Sequence, residues 1–347
     1  MVLKIEKRYR RKMRMLHNKK FLLSSCVFVF VFLGVIGFGL YTINKKQNSQ
    51  YVTAGDSANT KESYRRIMYD GKEYQYNNLI TTVLYAGIDS IGEIRENEAY
   101  ASAARADSIA LVVLDKKDRK MTIIGMNRDT MTSIRRYTIS GYERGTYESH
   151  LGYAYTYGDG GEISCENLCE AVSELLGGIP IKNYVITNQT SMPYINELVG
   201  GITLEVPNND VAKLHTELTE GAVVMLDERN VSDYLQYRDT SVSYSNEGRI
   251  ERQKVYVTEY IEKLKLELER DPQGIMKDLD KMKPYLQTNI TENHYIDFIN
   301  HFKAVQFEES NFYQIEGENR EGQSHDEFYV DKEALLQQLI EIFYEEM

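Results

Sequence analysis

Two neighbouring stretches decide the fold: TTVLYAGI at residues 81–88 and SIALVVLDKKDRKMTIIGM at residues 108–126. The second stretch contains two apolar, β-branched runs, 108–114 and 121–126, joined by the charged connector DKKDRK at 115–120. Runs of this length bounded by turn residues are typical of buried strands, and the short connector predicts an antiparallel hairpin. The sequence therefore predicts a sheet that contains these three strands.

Strand and helix patterns alternate along the rest of the chain. Residues 162–176 place apolar side chains at helical spacing, and Gly177 and Gly178 follow them, as is typical at the end of a helix. Further predicted elements are a strand at 183–187, a helix ending at Leu198, a strand at 202–206, and helices at 231–237, 248–268 and 331–343. This alternation predicts an α/β layered sandwich with a central mixed β-sheet flanked by helices.

The N-terminus predicts a membrane anchor. Residues 21–43 are almost uninterrupted apolar sequence, long enough at about 1.5 Å per residue to cross a hydrocarbon core of about 30 Å. A cleaved signal peptide is the alternative, but its apolar region would be shorter. Because Lys and Arg crowd the residues before the run, the positive-inside rule leaves residues 1–20 as a cytoplasmic basic tail. We predict one N-terminal transmembrane helix at 21–43, a linker or stalk at 44–74 and an extracytoplasmic domain at 75–347.

The charge distribution limits the partners. Residues 1–46 hold eleven Lys and Arg and one acid, so with a formal total of −11 the remaining residues carry about −21. Nucleic-acid binding depends on clustered Lys and Arg that displace counterions, so an acidic body argues against a nucleic-acid partner. An anionic ligand would have to be held by a few local arginines.

Carboxylates flank the ends of the predicted strands. Asp89 follows the first strand and Arg128-Asp129 follows the third, and ligands of open α/β sheets gather outside the carboxyl ends of strands. Asp107 precedes the second strand, which brings it towards Asp89 if the two strands are antiparallel. Mg²⁺ prefers one or two carboxylates together with substrate phosphates and water. We therefore predict Mg²⁺ at Asp89 and Asp107, with a turn or cap role as the alternative for either residue alone.

Arginines recur beside these acids and later in the chain, where guanidinium groups can bind phosphate oxygens in bidentate fashion. The predicted ligands of a phosphate group are Arg105, Arg128, Arg238, Arg249, Arg252 and Gln253. The last three are spaced i, i+3 and i+4, which places them on one face near the start of a predicted helix, where the backbone also favours an anion. A solvated charged face is the alternative for these three.

The succession of these motifs resembles the LytR-CpsA-Psr family of Gram-positive cell-wall proteins. Other segments that carry the resemblance are HLGYAYTYG (150–158), LGGIPIKNYVIT (176–187), LVGGITLEV (198–206) and YLQYR (234–238). The resemblance implies that residues 75–347 form a catalytic domain. It also implies an activity, the transfer of a glycopolymer such as a teichoic acid, a capsular or another wall polysaccharide from an undecaprenyl-pyrophosphate carrier to peptidoglycan, with Mg²⁺ at the pyrophosphate.

The resemblance also implies roles for single residues. The acids near the metal match Asp89 and Asp107, with Arg105 beside them, and the later phosphate-binding positions match Arg238, Arg249 and Gln253. The predicted catalytic residues are Arg128, Asp129 and Arg238. Asp129 is a candidate to deprotonate the acceptor hydroxyl, although a cap role suits it equally.

Three positions depart from the family pattern. Asn127 replaces a proline, His150 a frequent lysine and Gln236 an arginine. Two other functions stay open, and the loss of two fixed positive charges is a reason to keep the second of them. One is hydrolysis of the same prenyl pyrophosphate, and the other is non-catalytic binding of lipid-linked precursors in a regulatory role at the cell envelope.

Overall fold

The computed structural model describes residues 63–95, 100, 103–237, 239, 245–290, 299–300, 302–305, 307, 311–322 and 326–347. Its strands are β1 (Arg66–Tyr69), β2 (Lys72–Tyr76), β3 (Ile80–Ile88), β4 (Ala106–Asp115), β5 (Lys120–Met126), β6 (Met131–Tyr137), β7 (Glu143–His150), β8 (Asn183–Asn188), β9 (Ile202–Glu205), β10 (Val223–Leu226), β11 (Leu286–Thr288), β12 (Phe312–Gln314), β13 (Gly317–Glu321), β14 (Asp326–Val330) and β15 (Tyr344–Glu346). Its α-helices are α1 (Tyr153–Thr156), α2 (Glu162–Leu175), α3 (Met192–Leu198), α4 (Val231–Gln236), α5 (Ser245–Arg270), α6 (Pro272–Asp280) and α7 (Lys332–Phe343).

A six-stranded mixed sheet occupies the centre, in the order β11-β8-β3-β4-β5-β12. The predicted hairpin is confirmed, because β4 and β5 pair antiparallel from Ile109↔Met126 to Asp115↔Lys120. Strand β3 is antiparallel to β4 and parallel to β8, with Ile88 opposite Asn188. The ends of β3, β5 and β8 and the start of β4 therefore meet at one end of the sheet, which we call the site end.

The sheet is buried on both faces. In β3, Val83 and Tyr85 pack into a core formed with α3, α5 and α6. Leu84 and Ala86 alternate with them and pack against α2 and α7 on the other face. Because both faces of these strands are covered, their sequences are continuous apolar runs with no polar alternation. The predicted layered α/β sandwich with a mixed sheet is confirmed.

Most predicted helices lie where the sequence placed them. Helix α2 ends before Gly177 and Gly178, whose positive φ angles of 68° and 90° explain the two glycines. Helix α7 begins after Asp331, whose carboxylate accepts hydrogen bonds from the amides of Glu333 and Ala334.

The N-terminal boundary differs from the prediction. Strand β1 lies within the predicted linker at 44–74 and β2 begins within it, and β2 pairs with both β1 and the C-terminal strand β15. The described part of the domain therefore includes residues before 75, from Ser63 onward. The predicted transmembrane helix at 21–43 lies outside the described residues. Among the residues that are described, none of the helices is long and apolar enough to cross a membrane.

Candidate functional site

Backbone pairing at the site end fixes Asp89 against Arg105. The amide of Asp89 donates to the carbonyl of Arg105 at 3.0 Å, and the amide of Arg105 donates to Oδ1 of Asp89 at 2.8 Å. This exchange follows from the antiparallel register of β3 and β4, which places Ile88 opposite Ala106. The Asp89 carboxylate is thus held by the backbone of the residue predicted to bind phosphate.

A single carboxylate oxygen joins two arginines. Oδ1 of Asp107 accepts hydrogen bonds from Nε of Arg105 at 3.0 Å and from Nη1 of Arg128 at 2.6 Å. About a third of each of these side chains is exposed, so the guanidinium groups remain reachable from solvent. Burial lowers the pKa of Arg105, but the charge and hydrogen bond of Asp107, together with Tyr153, outweigh that effect and raise its pKa overall. Asp89, Arg105, Asp107 and Arg128, which come from three separate segments of the chain, therefore form one cluster at the site end.

The turn after β5 carries Asp129 and brings it near His150. The side chain of Asn127 accepts a hydrogen bond from the amide of Asp129 at 2.9 Å, so the residue that replaces proline forms an Asx turn. Oδ1 of Asp129 lies 3.7 Å from Nε of Arg128 and 3.8 Å from Nδ1 of His150. The mostly buried imidazole of His150 therefore lies beside the turn that carries Arg128 and Asp129.

Tyr153 completes the packing around the cluster and is not among the site residues that the sequence predicts. Its ring stacks on His150 with centroids 5.7 Å apart, and Cζ of Arg105 lies 5.8 Å from the same ring. The available signal was the spacing of three residues between His150 and Tyr153 within segment 150–158. Tyr153 restricts the side chains of both neighbours and so helps to hold the site in one geometry.

Gly152 bridges the backbone next to the two arginines. Its amide donates to the carbonyl of Arg128 at 2.8 Å, and its carbonyl accepts from the amide of Ala106 at 3.1 Å. A Cβ atom at position 152 would lie 2.6 Å from the carbonyl oxygen of Ala106 and 3.3 Å from that of Arg128. Only glycine allows this approach, so the backbone spacing of the cluster depends on it.

The carboxylates suit Mg²⁺ by their chemistry. Asp89 and Asp107 each use Oδ1 in the contacts described above, while Oδ2 of each makes no hydrogen bond with a residue that the structure describes. Within the described part of the chain there is no group of three or more Asp, Glu, His or Cys residues that could hold a metal. A metal held here would therefore need further oxygens from substrate and water, as Mg²⁺ commonly does.

The later predicted ligands are not all placed at this cluster. Arg252 is fully buried, and its three guanidinium nitrogens donate hydrogen bonds within the protein. Gln253 is 2% exposed and donates to the carbonyl of Leu235. Arg249 is half-buried in the first turns of α5, and Arg238 lies outside the described residues. The shared helical face of Arg252 and Gln253 thus faces the protein interior, which corrects the expectation that Arg252 contacts a ligand.

The protein is an α/β sandwich whose candidate site, a group of arginines and carboxylates, lies at one end of a mixed sheet. The chain belongs to the LytR_cpsA_psr family, whose profile matches residues 40–342. The resemblance found in the sequence is therefore confirmed.

Relatives within the family carry transferase names. The polyisoprenyl-teichoic acid–peptidoglycan teichoic acid transferase TagU of Enterococcus faecalis is 24% identical over 252 residues, which cover 71% of this chain and 72% of that protein. The corresponding transferase TagV of Bacillus subtilis is 27% identical over 190 residues, 54% of this chain and 42% of that protein. The second match thus spans less than half of the relative's length.

Solved structures share the fold. The protein gbs0355 from Streptococcus agalactiae aligns with a TM-score of 0.59 at 20% identity, over 76% of this chain and 86% of that one. TagT from Bacillus subtilis aligns with a TM-score of 0.54 at 18% identity, over 76% and 90% of the two chains. At these identities the comparison establishes the architecture alone.

Proposed function

We propose that this protein is a phosphotransferase that moves a glycopolymer from a polyisoprenyl-pyrophosphate carrier to peptidoglycan. The observation that carries the proposal is the pair of guanidinium groups held on one oxygen of Asp107, at the end of the sheet where Asp89 also lies. Family membership and the transferase names of TagU and TagV support it. In phosphoryl transfer the protein mainly positions the reacting groups and neutralises the charge on the phosphate oxygens, and such a cluster can do both.

In this proposal Arg105 and Arg128 bind oxygens of the pyrophosphate. Each guanidinium uses one nitrogen on Asp107, so other N–H groups of the same planar fork are available for a phosphate. Because Asp107 and Tyr153 hold the two side chains before the substrate arrives, these side chains lose little conformational freedom on binding. A cavity of about 400 Å³ beside Asp89, lined by residues 90–95, Tyr155 and Gly160, provides room for the adjoining part of the substrate.

The reaction replaces the phosphoanhydride bond of the carrier by a phosphate ester bond to the acceptor. The acceptor hydroxyl of peptidoglycan attacks the phosphorus atom that carries the glycopolymer. The bridging P–O bond of the pyrophosphate breaks, and polyisoprenyl monophosphate leaves. Asp129 takes the proton of the attacking hydroxyl, and its position near Arg128 and His150 orients the carboxylate for this step.

We further propose that Mg²⁺ is the cofactor and that Asp89 and Asp107 hold it. Three carboxylates, Asp89, Asp107 and Asp129, outnumber the two guanidinium groups of the cluster, so a pyrophosphate would meet a net negative charge without an added cation. When bound, Mg²⁺ would neutralise charge on the phosphate oxygens. The predicted membrane anchor at 21–43 and the extracytoplasmic location of the domain belong to the same proposal.

A transfer assay tests the function. The full-length protein in detergent is incubated with a polyisoprenyl-pyrophosphate-linked teichoic acid and uncrosslinked peptidoglycan oligomers, with and without Mg²⁺. We expect polymer joined covalently to glycan in a Mg²⁺-dependent reaction that Asp107→Ala and Arg128→Ala abolish. The matched control is Arg136→Ala, which removes an exposed arginine from the neighbouring strand β6 and should leave transfer unchanged.

The products separate the alternatives. Release of free phosphorylated glycopolymer without joining would identify a hydrolase, and tight precursor binding with neither product would identify a binding or regulatory protein. Equal turnover by wild type, Asp107→Ala and Arg128→Ala would contradict the assignment of the site.

A further inference from the structure

A second cavity lies at the end of the central sheet opposite the site end, where β3 begins and β4 ends, with Ile80 paired to Asp115. Its volume is about 370 Å³, and we call it the far cavity. Because β3 has nine residues that each advance the chain by about 3.3 Å, the far cavity lies about 26 Å from the site end. Its lining includes aromatic, small polar and basic side chains, namely Tyr64, Tyr76, Asn78, Thr81, Lys116 and Lys182.

Tyrosine rings form a fixed wall of the far cavity. Tyr76, at the end of β2, is 7% exposed and stacks on Phe343 with ring centroids 6.4 Å apart. Tyr64 meets Tyr76 edge to face at 5.2 Å. The amide of Asn77 donates to the carbonyl of Phe343 at 2.8 Å, so the N- and C-terminal segments of the domain hold this wall together. The negative face of an aromatic ring attracts the C–H groups of a sugar or polyol.

Two lysines flank the start of β3 from opposite sides. Lys116 follows the last residue of β4 and Lys182 precedes the first residue of β8, and these two strands border β3. Both lysines are exposed, and neither side chain makes an ion pair or hydrogen bond with a residue that the structure describes. The neighbouring carboxylate of Asp115 is already bound by Nδ2 of Asn77 at 3.0 Å and by the amide of Lys117 at 2.7 Å. Two positive charges are therefore available to an anion.

Small polar groups lie between the lysines. The side chains of Asn78 and Thr81 make no hydrogen bond within the described part of the chain, so both can bind a ligand. The next residues are fixed by the protein itself, because Thr82 donates to the carbonyl of Pro180 at 2.8 Å and Asn183 donates to the carbonyl of Thr82 at 3.2 Å. The far cavity thus suits a ligand that carries one negative charge on a body rich in hydroxyl groups.

The charge of the domain favours a polymer over a membrane as the source of this ligand. The residues after 46 carry about −21, so the domain as a whole would be repelled by an anionic bilayer. A single phosphodiester inside the far cavity meets chiefly the two lysines, because charges more than about 8 Å away are largely screened. We propose that the far cavity binds a repeating unit of the glycopolymer, of the class in which hydroxyl-bearing units are joined by phosphodiesters. This inference rests on the proposed function, since that function brings such a polymer to the protein.

A second contact of this kind makes binding depend on polymer length. A donor whose pyrophosphate lies at the site end reaches the far cavity only if its polymer extends more than about 26 Å. A longer polymer gains the second contact as an intramolecular event at high effective concentration. The far cavity therefore favours long polymers over short ones.

Binding of a free polymer tests the proposal. The probe is a synthetic oligomer of twelve glycerol phosphate units without a prenyl chain or pyrophosphate, and its Kd for the full-length protein in detergent is measured by calorimetry. We expect the Kd to rise about tenfold in Lys116→Gln/Lys182→Gln, because two charge contacts are lost. Asn78→Trp keeps both lysines but fills part of the far cavity, and it should raise the Kd by at least as much.

Matched variants control for charge and for the site end. Lys277→Gln/Lys303→Gln removes two exposed lysines that do not line the far cavity and should change the Kd less than twofold. Arg128→Ala should also change it less than twofold, because Arg128 belongs to the cluster at the site end.

The transfer assay measures the effect on length. Polyisoprenyl-pyrophosphate donors carry either one or twelve glycerol phosphate units. We expect the wild type to show a kcat/KM about fivefold higher for the long donor. In Lys116→Gln/Lys182→Gln this preference should disappear, while kcat/KM for the short donor stays at the wild-type value.

The outcomes separate this inference from the proposed function. An oligomer Kd that is unchanged in Lys116→Gln/Lys182→Gln or in Asn78→Trp overturns the inference, as does displacement of the oligomer by an equal concentration of inorganic phosphate. Binding of phosphatidylglycerol vesicles through the two lysines, without binding of the oligomer, identifies a lipid site and overturns it too. If no donor is transferred but the oligomer binds as expected, the proposed function fails and the far cavity remains a polymer-binding site.

Discussion

Substitution of Gly152 by alanine is the sharpest perturbation of the site that leaves every charged group in place. The new Cβ would lie 2.6 Å from the carbonyl oxygen of Ala106, whereas ordinary contact begins near 3.4 Å, so the backbones must separate by about 0.8 Å. Ala106 lies between Arg105 and Asp107 in the chain, and Gly152 also bonds the carbonyl of Arg128. The displacement therefore moves the backbone of the residues that form the cluster.

The expected magnitudes follow from this geometry. Overpacking of this kind costs about 1–3 kcal/mol in the free energy of unfolding. Because a misplacement of about 1 Å can lower a rate about 100-fold, we expect the transfer rate of Gly152→Ala to fall between about 10- and 100-fold. The rate is measured in the transfer assay and the stability by denaturant unfolding.

A second glycine provides the control. Gly221 has a φ of 78° and no heavy atom within 4 Å of its would-be Cβ, so Gly221→Ala should cost about 1–2 kcal/mol in backbone strain without affecting transfer. Wild-type transfer by Gly152→Ala, or an equal loss of transfer in both variants, would refute the reasoning.

Two further predictions concern stability. The buried hydroxyl of Tyr155 lies 2.9 Å from the carbonyl of Gly160 and 2.7 Å from Oε1 of Gln287, so Tyr155→Phe should lower the free energy of unfolding by about 1–3 kcal/mol, measured by denaturant titration. A loss below about 0.5 kcal/mol would contradict the role given to this hydroxyl. Burial, followed by the charge of Glu162, raises the pKa of Glu166, so the folded state favours its protonated form and loses stability as pH rises above the ordinary value of 4.5. Glu166→Gln should therefore raise Tm at pH 7 and leave it unchanged at pH 3, and a gain of equal size at both pH values would show that charge is not the cause.

The central sheet was predictable from sequence because β3, β4 and β5 are buried on both faces. Their sequences are therefore continuous runs of apolar residues. Strands β1, β2 and β15 were not predicted, because they are short, polar and largely exposed on one face. Their pairing joins the N- and C-terminal parts of the domain, and no local pattern encodes a contact at such separation.

The sequence predicted those parts of the site whose positions are set by the ends of strands. Antiparallel pairing of β3 with β4 was enough to bring Asp89 and Asp107 to one end of the sheet. Helical spacing placed Arg252 and Gln253 on one face of α5, but spacing does not say whether that face meets a ligand or the end of α4. Tyr153 acts by packing against His150 and Arg105, and Gly152 by letting two backbone segments come close together. Contacts of this kind depend on the folded structure and leave no pattern in the sequence.

The most direct test of the central claim is a crystal structure of the protein with geranylgeranyl pyrophosphate and Mn²⁺, located by its anomalous signal in place of Mg²⁺. We predict that the diphosphate contacts the guanidinium groups of Arg105 and Arg128 and that the metal is bound by Asp89 and Asp107. A diphosphate bound elsewhere on the domain, with the Arg105–Asp107–Arg128 contacts unchanged and no metal at the two carboxylates, would contradict the account.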